Sequence, residues 1–269
     1  MMKNSQPTIL TIAGSDCSAG AGIQADLKAI TANGGYALTA LTSVVSETPG
    51  VVSQIRLLDA AFITDQVRVL MAGFPIRAAK TGMLGGAEQV QAVAAIWRDV
   101  ALPRGIPLVV DPVMVATSGG KLLEDDAVRT LSECLLPLAA LITPNMDEAE
   151  VLWGRAVTTR AEMAACAADL AAKYQTAVLV KGGHLHSDAA ADVLVCADGL
   201  SWHETARTPG VHTHGTGCTY SAAIAAGLGC GLALVDAVAA AKKYVSRAIA
   251  AHFAWSSELH ALNHFPDGK

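Results

Sequence analysis

Charge and aromatic rings are both scarce in this 269-residue chain: Asp, Glu, Lys and Arg together make up 16% of it and Phe, Trp and Tyr 4%. With a net charge of −5 and no basic stripe interleaved with aromatics, no nucleic-acid partner is expected. No uninterrupted apolar run has the roughly 18 residues of a membrane-spanning helix, so no membrane partner is expected either. The mean hydropathy of +0.39 is carried largely by alanine and glycine, as in helices packed tightly on a buried sheet. The opening stretch MMKNSQPTILTIAGSD lacks the apolar core of a signal peptide and leads straight into a strand pattern. The six cysteines have no CxxC and no framework spacing. Without a secretion signal they predict reduced thiols in a cytoplasm. Histidines give HLH at 184–186 and HTH at 212–214, but no second cluster at zinc-ligand spacing. Walker A and dinucleotide fingerprints are missing too, since GSDCSAGAG has its glycines in the wrong register and no GK[ST] follows. No linker, charge block or low-complexity run divides the chain, so 1–269 reads as one domain, with a peripheral tail from about His252.

What is present is an alternation. Apolar, β-branched runs at 8–14, 36–45, 76–82, 107–113, 140–145 and 177–183 read as strands. Helical patterns lie between them at 20–33, 59–72, 86–100, 124–136, 146–153 and 160–174. Strands that are apolar throughout, separated by amphipathic helices, predict an α/β fold with a mostly parallel central sheet covered on both faces. After 183 the rhythm changes. DVLVC, a turn at Asp198-Gly199 and LSWHETA predict an antiparallel hairpin, followed by two Ala-rich helices at about 216–229 and 233–251.

In such sheets ligands gather outside the carboxyl ends of the strands, and the chemically interesting residues fall there: Gly14-Ser15-Asp16, Lys80 to Met83, Asp111, Asn145, Lys181 and the HTHGTGC loop. Gly215-Thr216-Gly217-Cys218 precedes a helix. It is either a glycine-rich helix entry or a nest of N–H groups that binds an anion, with the helix dipole behind it. Asn145 and Glu148 stand at i, i+3: an ordinary capping box, or a carboxylate at the carboxyl edge of the sheet that holds magnesium through water. Asp111 ends the apolar strand LVVD, where a buried carboxylate needs a donor or a cation. Lys181 ends VLVK and can meet a phosphate as a point charge. A phosphate nest, magnesium-compatible acids and a lysine at neighbouring strand ends are the parts of a phosphoryl-transfer site.

Five segments in order, AGSDCSAGAGIQADLK (13–28), VVDPVMVATSG (109–119), LITPNMDEAEVL (141–152), VLVKGGH (178–184) and HGTGCT (214–219), resemble the hydroxymethylpyrimidine/phosphomethylpyrimidine kinases of thiamine biosynthesis, in the ribokinase-like superfamily. The resemblance implies a ribokinase-like three-layer sandwich. It also implies ATP and Mg2+ as cofactors, and phosphorylation of 4-amino-5-hydroxymethyl-2-methylpyrimidine and then of its monophosphate. By motif position, Gly215, Gly217 and Cys218 match the family's anion hole. Asn145, Glu148, Lys181 and Thr216 fall on ATP and magnesium positions, with Asp111 beside them, and Glu148 and Asp111 are the metal candidates. Asp26 and Met83 match residues lining the pyrimidine pocket. Homodimers are common among such relatives, and a homodimer is expected here. At a helix N-terminus Cys218 is expected to have a lowered pKa and to be partly thiolate, fit to act as base.

The chain departs from the family pattern in two places. Cys17 and Ala19 replace a usual proline or serine and a glycine, and Cys17 is given a packing role. In SVVSETPGVV the family's pyrimidine-contacting glutamine is replaced: counting from Asp26 puts Glu47 there, and a one-residue shift puts Ser46 there. A carboxylate accepts from an amino group but donates to a ring nitrogen only when protonated. Three alternatives remain: a pyridoxal or pyridoxine kinase with the same loop, a non-catalytic ligand sensor, and a metal-dependent hydrolase, for which no cluster of His and Asp is visible.

Overall fold

Ile9 and Leu10 face opposite sides of one sheet and begin two separate cores. The same split recurs at Leu108/Val109 and Val178/Leu179. This is why these strands are apolar at every position: side chains alternate between faces, and both faces are buried. The computed structural model describes residues 6–114, 123–183, 185, 189–211 and 214–268. His184, His186, His212 and the end of the 109–119 segment lie outside them.

The elements run β1 (Thr8–Asp16), α1 (Gly22–Ala32), β2 (Tyr36–Thr48), β3 (Val51–Leu57), α2 (Ala60–Gly73), β4 (Ile76–Thr81), α3 (Ala87–Ile96), β5 (Leu108–Val110), α4 (Asp125–Thr130), β6 (Leu141–Ile142), α5 (Met146–Trp153), α6 (Arg160–Tyr174), β7 (Ala177–Gly182), β8 (Ala189–Cys196), β9 (Gly199–Ala206), α7 (Thr216–Gly229) and α8 (Leu234–Ala250). The nine strands pair in the order β3-β2-β1-β4-β5-β6-β7-β8-β9. The six from β2 to β7 in that order are parallel, and antiparallel strands flank them on both sides. Helices α2 to α6 cover one face and α1, α7 and α8 the other. This is the expected three-layer α/β sandwich, late hairpin included.

To the central sheet the structure adds one strand that the periodicity does not predict. β3 folds back on β2 through Pro49-Gly50, with Gly50 at φ +88°. Its side chains are mostly exposed and its pattern mixes Ser, Gln and Arg with valines, so it carries no buried stripe to read. The tail is not uniformly peripheral either. β10 (Phe253–Ala254) is exposed, whereas His260 in β11 (His260–Ala261), Leu262 and His264 are buried.

The carboxyl ends of β1, β4, β5, β6 and β7 lie along one edge. Asp16, Met83, Asp111, Asn145 and Lys181 all line a single cavity of about 1000 Å3 there, together with the start of α7.

Candidate active site

The cavity's centre is the first turn of α7. Gly215 sits at its N-cap with φ +80°, a conformation glycine adopts without strain, and no side chain caps the helix. A Cβ at Gly215 would overlap the Gly20 carbonyl, so only glycine permits the loops after β1 and before α7 to touch. The turn closes with Thr219 N–H donating to the Gly215 carbonyl at 2.9 Å. The amides of Thr216, Gly217 and Cys218 precede that bond and have no acceptor within the helix. All three residues line the cavity.

Lys181 faces this turn: a Cβ on Gly217 would lie 3.1 Å from its Nζ. It is held by Asp111, whose Oδ1 accepts from Lys181 Nζ at 2.8 Å and from Thr143 Oγ1 at 3.1 Å, while Oδ2 accepts from Ser221 Oγ at 3.2 Å. Burial alone would raise the pKa of Asp111, but Lys181 and Lys80 outweigh it and hold the carboxyl below the usual range. The buried strand-end acid thus has its donors. On α5, Asn145 Oδ1 accepts from Glu148 N and Glu148 Oε2 accepts from Asn145 N, both at 2.8 Å. The capping box therefore exists. Glu148 nevertheless lines the cavity, and burial, helped by Asp111 and opposed by Lys181, lifts its pKa to about 7. A carboxyl so reluctant to ionise stands ready for a cation, and its hard oxygen donors suit magnesium. The donor set fits that ion, with Asp111 engaged chiefly by Lys181.

Two sequence expectations need correction here. Cys218 is not partly thiolate. Burial pushes its thiol up to about 11, Asp26 and Asp111 add to that, and Lys80 with the Gly22 amide only partly offset them. Asp26 is not among the residues lining the cavity. It is completely buried, with Lys80 Nζ at 2.8 and 2.9 Å from its two carboxylate oxygens and Thr11 Oγ1 donating as well. Its part is to hold Lys80 close enough for that ammonium to act on Cys218 and Asp111.

Met83 and Glu47 do line the cavity. Met83 is fixed through its carbonyl, which accepts from Gly14 N at 3.0 Å and Thr42 Oγ1 at 2.7 Å. Glu47 exchanges backbone contacts with the Cys17 thiol at 3.1 and 3.3 Å, so Cys17 does more than pack. Burial and the neighbouring Asp16 raise the Glu47 pKa. Asp16 is the organiser of this wall. It accepts from Ser18, Gly20 and Ala21 N–H groups and pairs with His214 Nε2 at 3.1 Å. Burial works against ionisation, but His214 and those donors hold Asp16 well below its usual pKa. Asp16, Glu47 and His214 bring ligand-type atoms within 4.8 Å of one another, a mixed cluster that sequence spacing hides because its members come from the end of β1, the end of β2 and the turn before α7.

The cavity's other end has no counterpart among the sequence expectations. Thr205 to Val211 and the α8 residues Val245, Ser246 and Ile249 form a mixed wall, apolar at Ala206, Pro209, Val211, Val245 and Ile249. Lys242, bonded to the buried Asp192 at 2.6 Å, closes it. The sequence signals for it are slight: an aspartate opening the strand DVLVC and a lysine on the inner face of an Ala-rich helix.

The family model described as phosphomethylpyrimidine kinase matches residues 16–263. The chain belongs to this family. Its relatives include the hydroxymethylpyrimidine/phosphomethylpyrimidine kinase of Rhizobium meliloti, 44% identical over 243 residues that cover 90% of each chain. Among solved structures, an ADP complex of Bacillus subtilis pyridoxal kinase superposes with a TM-score of 0.86 at 34% identity, covering 97% of this chain and 98% of that one. The Clostridium difficile phosphomethylpyrimidine kinase superposes with a TM-score of 0.79 at 34% identity, covering 90% and 99%. For this phosphomethylpyrimidine-kinase family member, family and site chemistry agree on phosphoryl transfer.

Proposed function

We propose that the chain uses ATP and magnesium to phosphorylate the hydroxymethyl group of 4-amino-5-hydroxymethyl-2-methylpyrimidine, and then converts the monophosphate to the pyrophosphate, for thiamine biosynthesis in the cytoplasm. The observation that carries this reading is the meeting of three helix-start amides, without acceptors in their own helix, with Lys181 and Glu148, in one cavity that Met83 and Glu47 also line together with Thr205–Val211 and α8. The nucleoside end of ATP fits the wall of Thr205–Val211 and α8, and its phosphates reach Lys181 and the amides of Thr216, Gly217 and Cys218. Magnesium, when bound, neutralises charge on the phosphates. Glu148 is placed to hold it through water, and Asp111 keeps Lys181 aimed. The pyrimidine lies against Met83 and Glu47 with its alcohol toward Cys218. Phosphoryl transfer depends mainly on positioning and charge stabilisation. The Cys218 amide supplies that, and its protonated thiol hydrogen-bonds the alcohol.

Burial and Asp16 raise the Glu47 pKa, and through a carboxyl oxygen Glu47 accepts from the amino group of the ring. A coupled ATPase assay with each ring alcohol, with and without magnesium, tests the whole reading. Magnesium-dependent turnover of the aminopyrimidine is expected, with phosphate and pyrophosphate products by mass. Lys181→Ala should lose about 100-fold in kcat. Glu47→Ala should weaken pyrimidine binding, and unchanged affinity removes Glu47 from the pocket. The likeness to solved pyridoxal kinases supports a second reading, in which pyridoxal is the better substrate. Turnover of pyridoxal alone would establish it, and ligand binding without ATP consumption would leave a sensor.

A further inference from the structure

We propose that His264 is a positioning residue for phosphoryl transfer: through Thr219 it pins the first turn of α7, so that the amides of Thr216, Gly217 and Cys218 stay in place at the cavity beside Lys181. The inference rests on the reading of the site given above.

The turn has little of its own to hold it. Its N-cap is glycine with no side-chain cap, so its orientation is set from outside. On the cavity side Ser221 reaches Asp111. On the far side the contact is Thr219 Oγ1 with His264 Nε2, at 3.0 Å and buried. Thr219 follows Cys218 directly and is completely buried. Its backbone N–H makes the bond to Gly215 that closes the turn. A threonine hydroxyl inside a helix tends to bond the carbonyl four residues back and to bend the helix. Here that carbonyl is Gly215. An acceptor at His264 draws the hydroxyl away and leaves the Gly215 carbonyl to the turn.

His264 is itself firmly placed. Its carbonyl accepts from Tyr244 OH at 2.9 Å, and the neighbouring Asn263 N–H donates to the Ala248 carbonyl at 3.2 Å. Three residues further on, Asp267 takes both of its oxygens to Arg247 at 2.9 Å. The imidazole also bonds the Leu262 backbone, which leaves Nε2 as acceptor for the threonine hydroxyl. Burial, with Lys28 nearby, keeps the ring neutral, as an acceptor must be. The tail is thereby tied to α8 by several bonds and to the catalytic turn by this one.

The test compares His264→Leu, His264→Gln, Thr219→Val and the double variant that combines His264→Leu with Thr219→Val. The readouts are steady-state kinetics per folded enzyme, thermal melts, and hydrogen exchange of the segment 214–222. His264→Leu and Thr219→Val should each lower kcat about tenfold, the scale of a small misplacement in a transfer site, with KM for both substrates changed less than about twofold. The glutamine side chain brings an amide oxygen that can accept from Thr219, so His264→Gln should recover most of the rate. The double variant should be no worse than either single one. Exchange in 214–222 should quicken in His264→Leu and return toward wild type in His264→Gln. Melts that fall while kcat per folded enzyme stays within about twofold of wild type, or losses that add in the double variant, would overturn the proposal. If His264→Leu does not fold, Thr219→Val carries the comparison. If the wild type transfers no phosphoryl group, the reading of the site fails, and the exchange data alone decide whether the pin exists: unchanged exchange ends it.

Discussion

Lys80 and Asp26 have lost all their water, each with a fully buried side chain and 2.8 Å between their nearest charged atoms. Such a pair adds little net stability, but removing one partner leaves a bare charge in an apolar interior, at a cost of about 3–5 kcal/mol. Lys80→Met should therefore lower unfolding stability by about that much in urea titrations, and Lys80→Met combined with Asp26→Leu should recover most of it. A single variant that costs under about 1 kcal/mol would mean that the pair is not isolated from solvent. Lys80→Met should also raise the Cys218 thiol further, because Lys80 is the main influence lowering it. Asp26 in IQADLK and Lys80 in IRAAKTG are both visible in the sequence. What cannot be read there is that they meet across 54 positions, which is why Asp26 reads as a pocket residue in sequence. Lys181, Glu148 and Gly215 are legible because each ends a strand or starts a helix, where position alone indicates the edge they share. The charge state of Cys218 is not, since helix start and burial push a thiol in opposite directions and only packing decides between them.

The tail makes acid sensitivity an element-scale property. Burial holds the His264 imidazole at a pKa of about 4, below its ordinary 6.5. Between those values the unfolded chain binds a proton that the folded one refuses. Stability from this group is thus complete above about 6.5 and declines as pH falls toward 4, by up to about 3 kcal/mol. The groups that act on the ring are Thr219 of α7, the Leu262 backbone and, at longer range, Lys28 of α1. Urea titrations at pH 7, 5 and 4 should show this loss in the wild type and a shallower one in His264→Gln; parallel curves would place the acid sensitivity elsewhere. At this scale most of the fold is readable. β1, β4, β7 and helices α5 to α7 match their sequence patterns to within one or two residues, because strands buried on both faces leave an unbroken apolar run. α3 ends sooner than expected, at Ile96, where wider and then tighter turns carry the chain through Pro103. β3 is invisible for the opposite reason: an exposed edge strand has no hydrophobic signal.

That edge matters to the molecule as a whole. β3 closes one side of the sheet, and Val44, Val51, Leu57 and Phe62 are exposed in or beside the β2–β3 hairpin. Open edges with apolar side chains tend to be covered, and the expected homodimer offers a second copy to do so. Light scattering should give twice the 27.6 kDa chain mass, and Val51→Lys should shift it toward the monomer; a monomeric wild type rejects the dimer. Among the described residues no helix is long and apolar enough to cross a membrane.

The bond between Asp16 and His214 joins positions 198 residues apart. Everything up to β9 leaves this wall of the cavity unfinished, with Asp16 lacking its imidazole and the Gly20 loop lacking the glycine that lets it close. A chain without α7 and α8 therefore lacks both this bond and most of the apolar cover on one face of its sheet.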